Sequence, residues 1–141
     1  MIVYTEPKGK QRPRFVRTGG YVRTYTPKQT EDYEKLIAKE YIKQDKTYYD
    51  ELPVMVTIRA FFEIPKSWSK KKQSLASDGE IKPTKKCDID NIIKSVLDAL
   101  NGVAYKDDKQ VVSIYSTKKY SCVPRIEIDV KEIKEWQQQV F

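Results

Sequence analysis

Four aspartates stand in two short runs of this 141-residue chain, Asp88-Ile89-Asp90 and Asp107-Asp108. Asp88 and Asp90 are two apart just ahead of a helical pattern. In extended backbone both carboxylates would point to one side, the arrangement that grips a single cation. Asp90 or its neighbour can instead cap that helix, where negative charge is favourable, but a cap explains Asp88 poorly. Asp107-Asp108 falls where the chain turns back from the helix; aspartate is common in turns, yet two adjacent carboxylates are more than a turn needs. Brought together, three or four carboxylates repel and raise one another's pKa, and a divalent cation relieves that repulsion. All-oxygen ligands favour Mg2+, with Mn2+ as a substitute, over zinc or copper. The chain has no histidine, which excludes sites that need an imidazole base or ligand. The expected chemistry is attack on a phosphodiester by a metal-activated water, with the metal and Lys94 offsetting charge on the phosphate. Lys94 lies one turn beyond Asp90 and can lean toward it; alternatively it forms a surface pair with Asp98, worth a few tenths of a kcal/mol.

The elements that must position these groups follow from patterning. Thr26-Pro27-Lys28-Gln29 reads as a helix start, with Thr26 as N-cap, Pro27 at the first helical position and Gln29 closing a capping box. The helix runs to about Lys46 with Tyr33, Leu36, Ile37 and Tyr41 on one stripe. Val54 to Ile64 alternates as a strand that places Val54, Val56, Ile58, Ala60 and Phe62 on one face, and Pro65 ends it. Residues 66–86 show no periodicity and read as a flexible basic loop. A second helix, Asn91 to Leu100, buries Ile93, Val96, Leu97 and Leu100 and stops at Asn101-Gly102. Gln110 to Lys119 and Arg125 to Lys131 read as strands, the latter with Ile126, Ile128 and Val130 inward, and a short helical turn or tail closes the chain. The first 25 residues form an extended basic arm with a turn at Gly19-Gly20. The order arm–α–β–loop–α–β–β predicts one small α+β domain over residues 1–141, two main helices packed on a mixed sheet.

Charge divides unevenly. The net charge is +7, but residues 1–30 carry +6 and residues 66–86 carry +5, which leaves the rest of the chain at −4. Basic charge in two segments around an acidic centre suits a polyanionic partner such as nucleic acid; solvated charge for solubility is the plainer alternative. Lys8, Lys10, Arg12, Arg14, Lys85 and Lys86 are the candidate DNA-binding residues. No stretch approaches the roughly 18 apolar residues of a membrane span, and the N-terminus lacks the apolar core of a signal peptide. Cys87 and Cys122 have no metal-ligand spacing. A reduced, cytoplasmic protein is expected.

The run Asp88-x-Asp90-Asn91-x-x-Lys94-x-x-x-Asp98-Ala99-Leu100-Asn101, followed by Asp107-Asp108-x-Gln110-Val111, resembles the core signature of RusA-type Holliday junction resolvases. The likeness is close over residues 86–112 and looser at Lys-Gly-Lys-Gln-Arg-Pro-Arg near the N-terminus. It implies a RusA-like fold completed in a homodimer. The implied activity is a Mg2+-dependent endonuclease of phage or prophage character that resolves four-way junctions by paired symmetric cuts in DNA recombination and repair. By position, Asp88, Asp90 and Asp108 match the family's essential acids and Lys94 its essential lysine, while Asp107 matches a flanking acid. Some members carry an arginine-rich run before the first of these acids where this chain has Lys85-Lys86-Cys87, and lysine lacks the bidentate fork of arginine. The 66–86 loop also looks longer than in compact members.

Other readings compete. A restriction-like nuclease could use Asp129-x-Lys131 on an outward strand face, the same acids could serve a nuclease of other substrate preference, and a non-catalytic branched-DNA-binding protein would need its acids only as caps and turns. Asp90→Asn separates the last from a nuclease, because only a nuclease loses function by it. An RNA-binding module would array aromatic side chains on a sheet, whereas the ten tyrosines are scattered.

Overall fold

Alternating burial in one ten-residue strand organises the molecule. The computed structural model describes residues 1–11, 14–25, 27–85 and 87–134. β1 (Ile2–Val3) is followed by β2 (Arg14–Thr18), β3 (Tyr21–Tyr25), α1 (Lys28–Gln44), β4 (Val54–Glu63), α2 (Lys70–Ser77), α3 (Ile89–Leu100), β5 (Val111–Ser121) and β6 (Arg125–Glu132). β4 sits inside a four-stranded sheet of order β1-β6-β4-β5. It runs parallel to β5 and antiparallel to β6, and β6 pairs antiparallel with β1. The sheet is therefore mixed and the fold α+β, as the pattern predicts.

Val54, Val56, Ile58, Ala60 and Phe62 are fully buried on one face of β4. Directly opposite them on β6 stand Val130, Ile128 and Ile126, also buried. α1 and α3 pack on each other and close this face with Tyr33, Ile37 and Tyr41 from α1 and Ile92, Val96 and Leu100 from α3. Each such aliphatic side chain contributes about 1.5–3 kcal/mol by leaving water. The buried stripe of α3 is shifted from expectation. Ile92, Ser95 and Ala99 lie inside, and Ile93 and Leu97 are only half-buried, because α3 faces both α1 and the sheet edge.

Several local expectations need correction. Pro27, not Thr26, is the N-cap of α1, with no side-chain capping bond; its carbonyl accepts from Thr30 and Glu31 N–H. Thr26 lies outside the described residues, as do Arg12, Lys86 and the expected C-terminal turn. α1 ends at Gln44, two residues early, and Lys46 takes a positive φ of 70°. The segment 66–86, expected without regular structure, contains α2. Ser69 caps it by accepting from Lys72 N–H, Ala76 is buried, and Trp68 meets Tyr120 of β5 edge-on at 5.3 Å with Lys72 Nζ 4.0 Å above the indole. The N-terminal arm is organised too. β2 and β3 form a two-stranded ribbon in which Arg14 pairs with Tyr25 and Thr18 with Tyr21. Its two-residue loop is Gly19-Gly20, both at positive φ (54° and 84°), the left-handed backbone that a tight hairpin demands and glycine supplies. No helix among the described residues is long and apolar enough to cross a membrane, and both cysteines are free.

Candidate metal and nucleic-acid site

The polar face of α3 repeats every four residues: Asp90, Lys94, Asp98. Asp88 is the N-cap, with extended backbone (φ −62°, ψ 146°), and its carboxylate makes no capping hydrogen bond. The helix begins at Ile89, so Asp90 is already in the first turn. The expected side-by-side pair in extended backbone is therefore replaced by one extended and one helical aspartate. Both are exposed. Among the described residues neither carboxylate has a hydrogen-bond or ion-pair partner, and the positive end of the helix favours their charge. Capping thus accounts for neither carboxylate.

Lys94 does not lean toward Asp90. Its Nζ lies 3.5 Å from Asp98 Oδ2, and its side chain remains 62% exposed, so the plainer alternative, the surface pair, is the one formed. Asp98 Oδ2 is also 3.2 Å from Nζ of Lys10, which in turn pairs with Glu34 of α1. Lys10, expected to contact DNA, is instead engaged internally, with its side chain only 20% exposed. Burial alone would lower its pKa; the hydrogen bonds to Glu34 and Asp98 outweigh that and hold it above the ordinary lysine value. Sequence reasoning missed this chain of alternating charge because Lys10 and Asp98 are 88 positions apart.

The strap that carries Lys10 is fixed to both α3 and α1. Lys10 N–H donates to the Asn91 carbonyl at 3.0 Å, Ser95 Oγ donates to the Lys8 carbonyl at 3.0 Å, and Lys8 N–H donates to Tyr33 Oη at 3.2 Å. Gly9 lies so close that a Cβ there would fall 3.0 Å from Asn91 Cβ and 3.1 Å from Cys87 Cβ. Lys8 itself stays exposed, with Nζ 6.0 Å from the Tyr33 ring centroid. From the other side, Lys118 of β5 donates to the Cys87 carbonyl at 3.2 Å. It stands opposite Ala60 in the β4–β5 register, so it shares the helix-bearing face. These residues set the backbone just before Asp88. Nothing in the local pattern of β5 marked Lys118.

Asp107 and Asp108 differ. Asp107 caps the single 3-10 turn Asp108–Gln110, accepting from Lys109 N–H at 2.8 Å, while Gln110 Oε1 accepts from Asp107 N–H at 2.9 Å. That bond to Lys109 N–H holds the Asp107 carboxyl below the usual range. The turn chemistry expected of the pair belongs to Asp107. Asp108 is half-buried, and its pKa is raised, first by desolvation and then by Asp107 and Asp98, against the pull of Lys94. The structure therefore brings Asp108 into the field of Lys94 and Asp98. It does not gather Asp88, Asp90 and Asp108 into one cage: among the described residues no group of three or more carboxylates, cysteines or histidines is placed to hold an ion. What the face offers is hard oxygen donors, two without partners and one under like-charge repulsion, which fits a Mg2+-type cation in chemistry. Just beyond this turn the β4–β5 register shifts between Val54 and Met55. Of the other expected DNA contacts, Arg14 and Lys85 are exposed.

Residues 5–131 match the family described as endodeoxyribonuclease RusA. The chain is also 36% identical over 133 residues to a protein of Bacillus subtilis (strain 168) named "Uncharacterized protein YqaN", an alignment that covers 93% of this chain and 94% of that one.

Proposed function

The chain belongs to the RusA endodeoxyribonuclease family, and from that membership we propose that it is a divalent-metal-dependent nuclease that resolves four-way DNA junctions. The observation that carries the reading is the polar face of α3. Asp88 and Asp90 hold unpartnered carboxylates at its start, and Asp108 is held in a field of like charge beside Lys94. On this reading Asp88, Asp90 and Asp108 hold Mg2+ or Mn2+, with Asp107 fixing the turn that presents Asp108. The cation, when bound, neutralises phosphate charge and makes water a competent nucleophile at neutral pH. Lys94, exposed and one helical turn from Asp90, donates to a phosphate oxygen as charge builds in the transition state. Lys8, Arg14 and Lys85, with Arg12 and Lys86 beside them in sequence, take the DNA backbone.

Two matched cuts on a two-fold substrate call for two related sites, hence a homodimer with an isologous interface. β5 supports this: it forms one edge of the sheet and exposes Val112, Ile114 and Tyr115, and an apolar edge of that length invites pairing or cover. A cytoplasmic role in recombination or repair of branched DNA completes the proposal. The test is nicking of a synthetic four-way junction and of a linear duplex of the same sequence, each with Mg2+, Mn2+ or EDTA. Paired nicks in the junction alone, abolished by EDTA, are expected. Equal cutting of both substrates sinks the resolvase assignment, and no cutting with either metal sinks the nuclease.

A further inference from the structure

We propose that the β2–β3 ribbon is a wedge that enters branched DNA, with one duplex arm against each of its faces. The inference rests on the DNA-junction reading above and names the element that would distinguish a junction from a linear duplex. All ten strand residues of the ribbon are exposed, and the strands pack chiefly on each other. An isolated two-stranded hairpin is marginal in water, so this one gains order only where something covers it.

The register sorts the side chains. Arg14, Val16, Thr18, Tyr21, Arg23 and Tyr25 share one face; Phe15, Arg17, Val22 and Thr24 share the other. Arg14 and Arg23 are diagonal neighbours on the first face, about 7–8 Å apart at the backbone. The second face sets Arg17 among the most exposed apolar groups, with Phe15 at 73% and Val22 at 60%. From Arg14 to Tyr25 there are three arginines and no acid. Each face thus combines guanidinium with aromatic or aliphatic surface, the pairing that holds phosphates and packs on sugars and bases. A β-ribbon is also narrow enough to enter a major groove. A linear duplex can cover only one face. Two arms diverging from a crossover can cover both, and only then is the apolar surface of Phe15 and Val22 removed from water together with that of Tyr21 and Tyr25.

The test is fluorescence anisotropy in EDTA on a synthetic four-way junction and on a linear duplex made from two of its arms. The variants are R14A/R23A for the first face and F15S/R17A for the second. Each should weaken junction binding by about tenfold or more, whereas on the duplex only one of the two should matter. Both should unfold within about 2 °C of the parent, since the sites are exposed. Equal losses on junction and duplex for both variants, or no loss for either, overturn the proposal. A third variant replaces residues 14–25 with two glycines, a span that closes because Arg14 and Tyr25 are paired. It should lose its preference for the junction and keep its molar mass in light scattering; a changed mass would assign the ribbon to contact between copies and overturn the wedge. Cleavage is not read in these measurements. A protein that binds as described and never nicks therefore sinks the nuclease and leaves the wedge standing, whereas nicking with no ribbon dependence of binding does the reverse.

Discussion

Asp88 and Asp90 at the start of α3 and Asp98 near its end present the same carboxylate to opposite surroundings. The first two sit where the helix field favours negative charge, exposed and without protein partners. Asp98 sits in the last turn, where that field is unfavourable, and is held by two lysines, Lys10 and Lys94. An acid in an adverse field that is kept by two cations is serving the protein's own architecture. Acids in a favourable field that are left without cations are available to something from outside. The adjacent pair repeats the contrast at smaller scale, with Asp107 committed to a cap and Asp108 left under repulsion.

The sharpest way to break this comparison is to neutralise one acid at each end. Asp90→Asn should lower junction nicking by roughly a thousandfold, about 4 kcal/mol of barrier, while changing thermal stability little and leaving junction binding intact or tighter. If Asp90→Asn instead unfolds the protein and leaves nicking of the folded fraction unchanged, the two ends are not different. Lys94→Met should cost nicking about a hundredfold, the usual effect of one lost charge-stabilising donor, and should leave affinity for the junction within a fewfold in a gel-shift titration. Asp98→Asn belongs to the structural side: about 1–2 kcal/mol of stability by chemical unfolding, with a smaller loss of nicking because Lys94 loses its tether. Lys10→Met should resemble it, with a pH signature. The Lys10 pKa is raised in the fold, so the stability it contributes is fully present below the ordinary lysine value and is lost as pH rises through the elevated one. Melting curves of parent and variant should therefore differ at pH 8 and converge as pH rises past the elevated lysine value. Gly9→Ala is the mildest test, at about 1 kcal/mol, because Asn91 and Cys87 must give way by only a few tenths of an ångström.

Much of this was legible in the sequence where one face of an element is buried. The alternation of β4 and β6 marked the inward residues correctly, and Gly19-Gly20 announced the ribbon turn. α2 escaped because it buries Ala76 alone; a helix held by a cap and an indole leaves no apolar period to read. β1 escaped because two residues paired across the chain with Glu127 and Ile126 carry no local pattern. At the site, residue types and spacing singled out the acids around α3, but not what each carboxylate touches. Lys10 shows why: its basic neighbours suggested a DNA contact, and only the fold reveals that it lies between Glu34 and Asp98. The same limit hid Lys118, whose bond to the Cys87 carbonyl joins an edge strand to the residue before Asp88.

The strap that fastens Gly9 and Lys10 to the first turn of α3 also limits geometry at a distance. Only four residue steps separate Lys10 from Arg14, a reach of about 14 Å at full extension, equal to about four base-pair steps of duplex DNA. On the wedge proposal, a nucleic acid seated at the foot of the ribbon would lie within that reach of the strap. The strap would work as a ruler, placing each cut within a few nucleotides of the branch point, and lengthening it with inserted Gly-Ser pairs should blur a single cut position into a ladder.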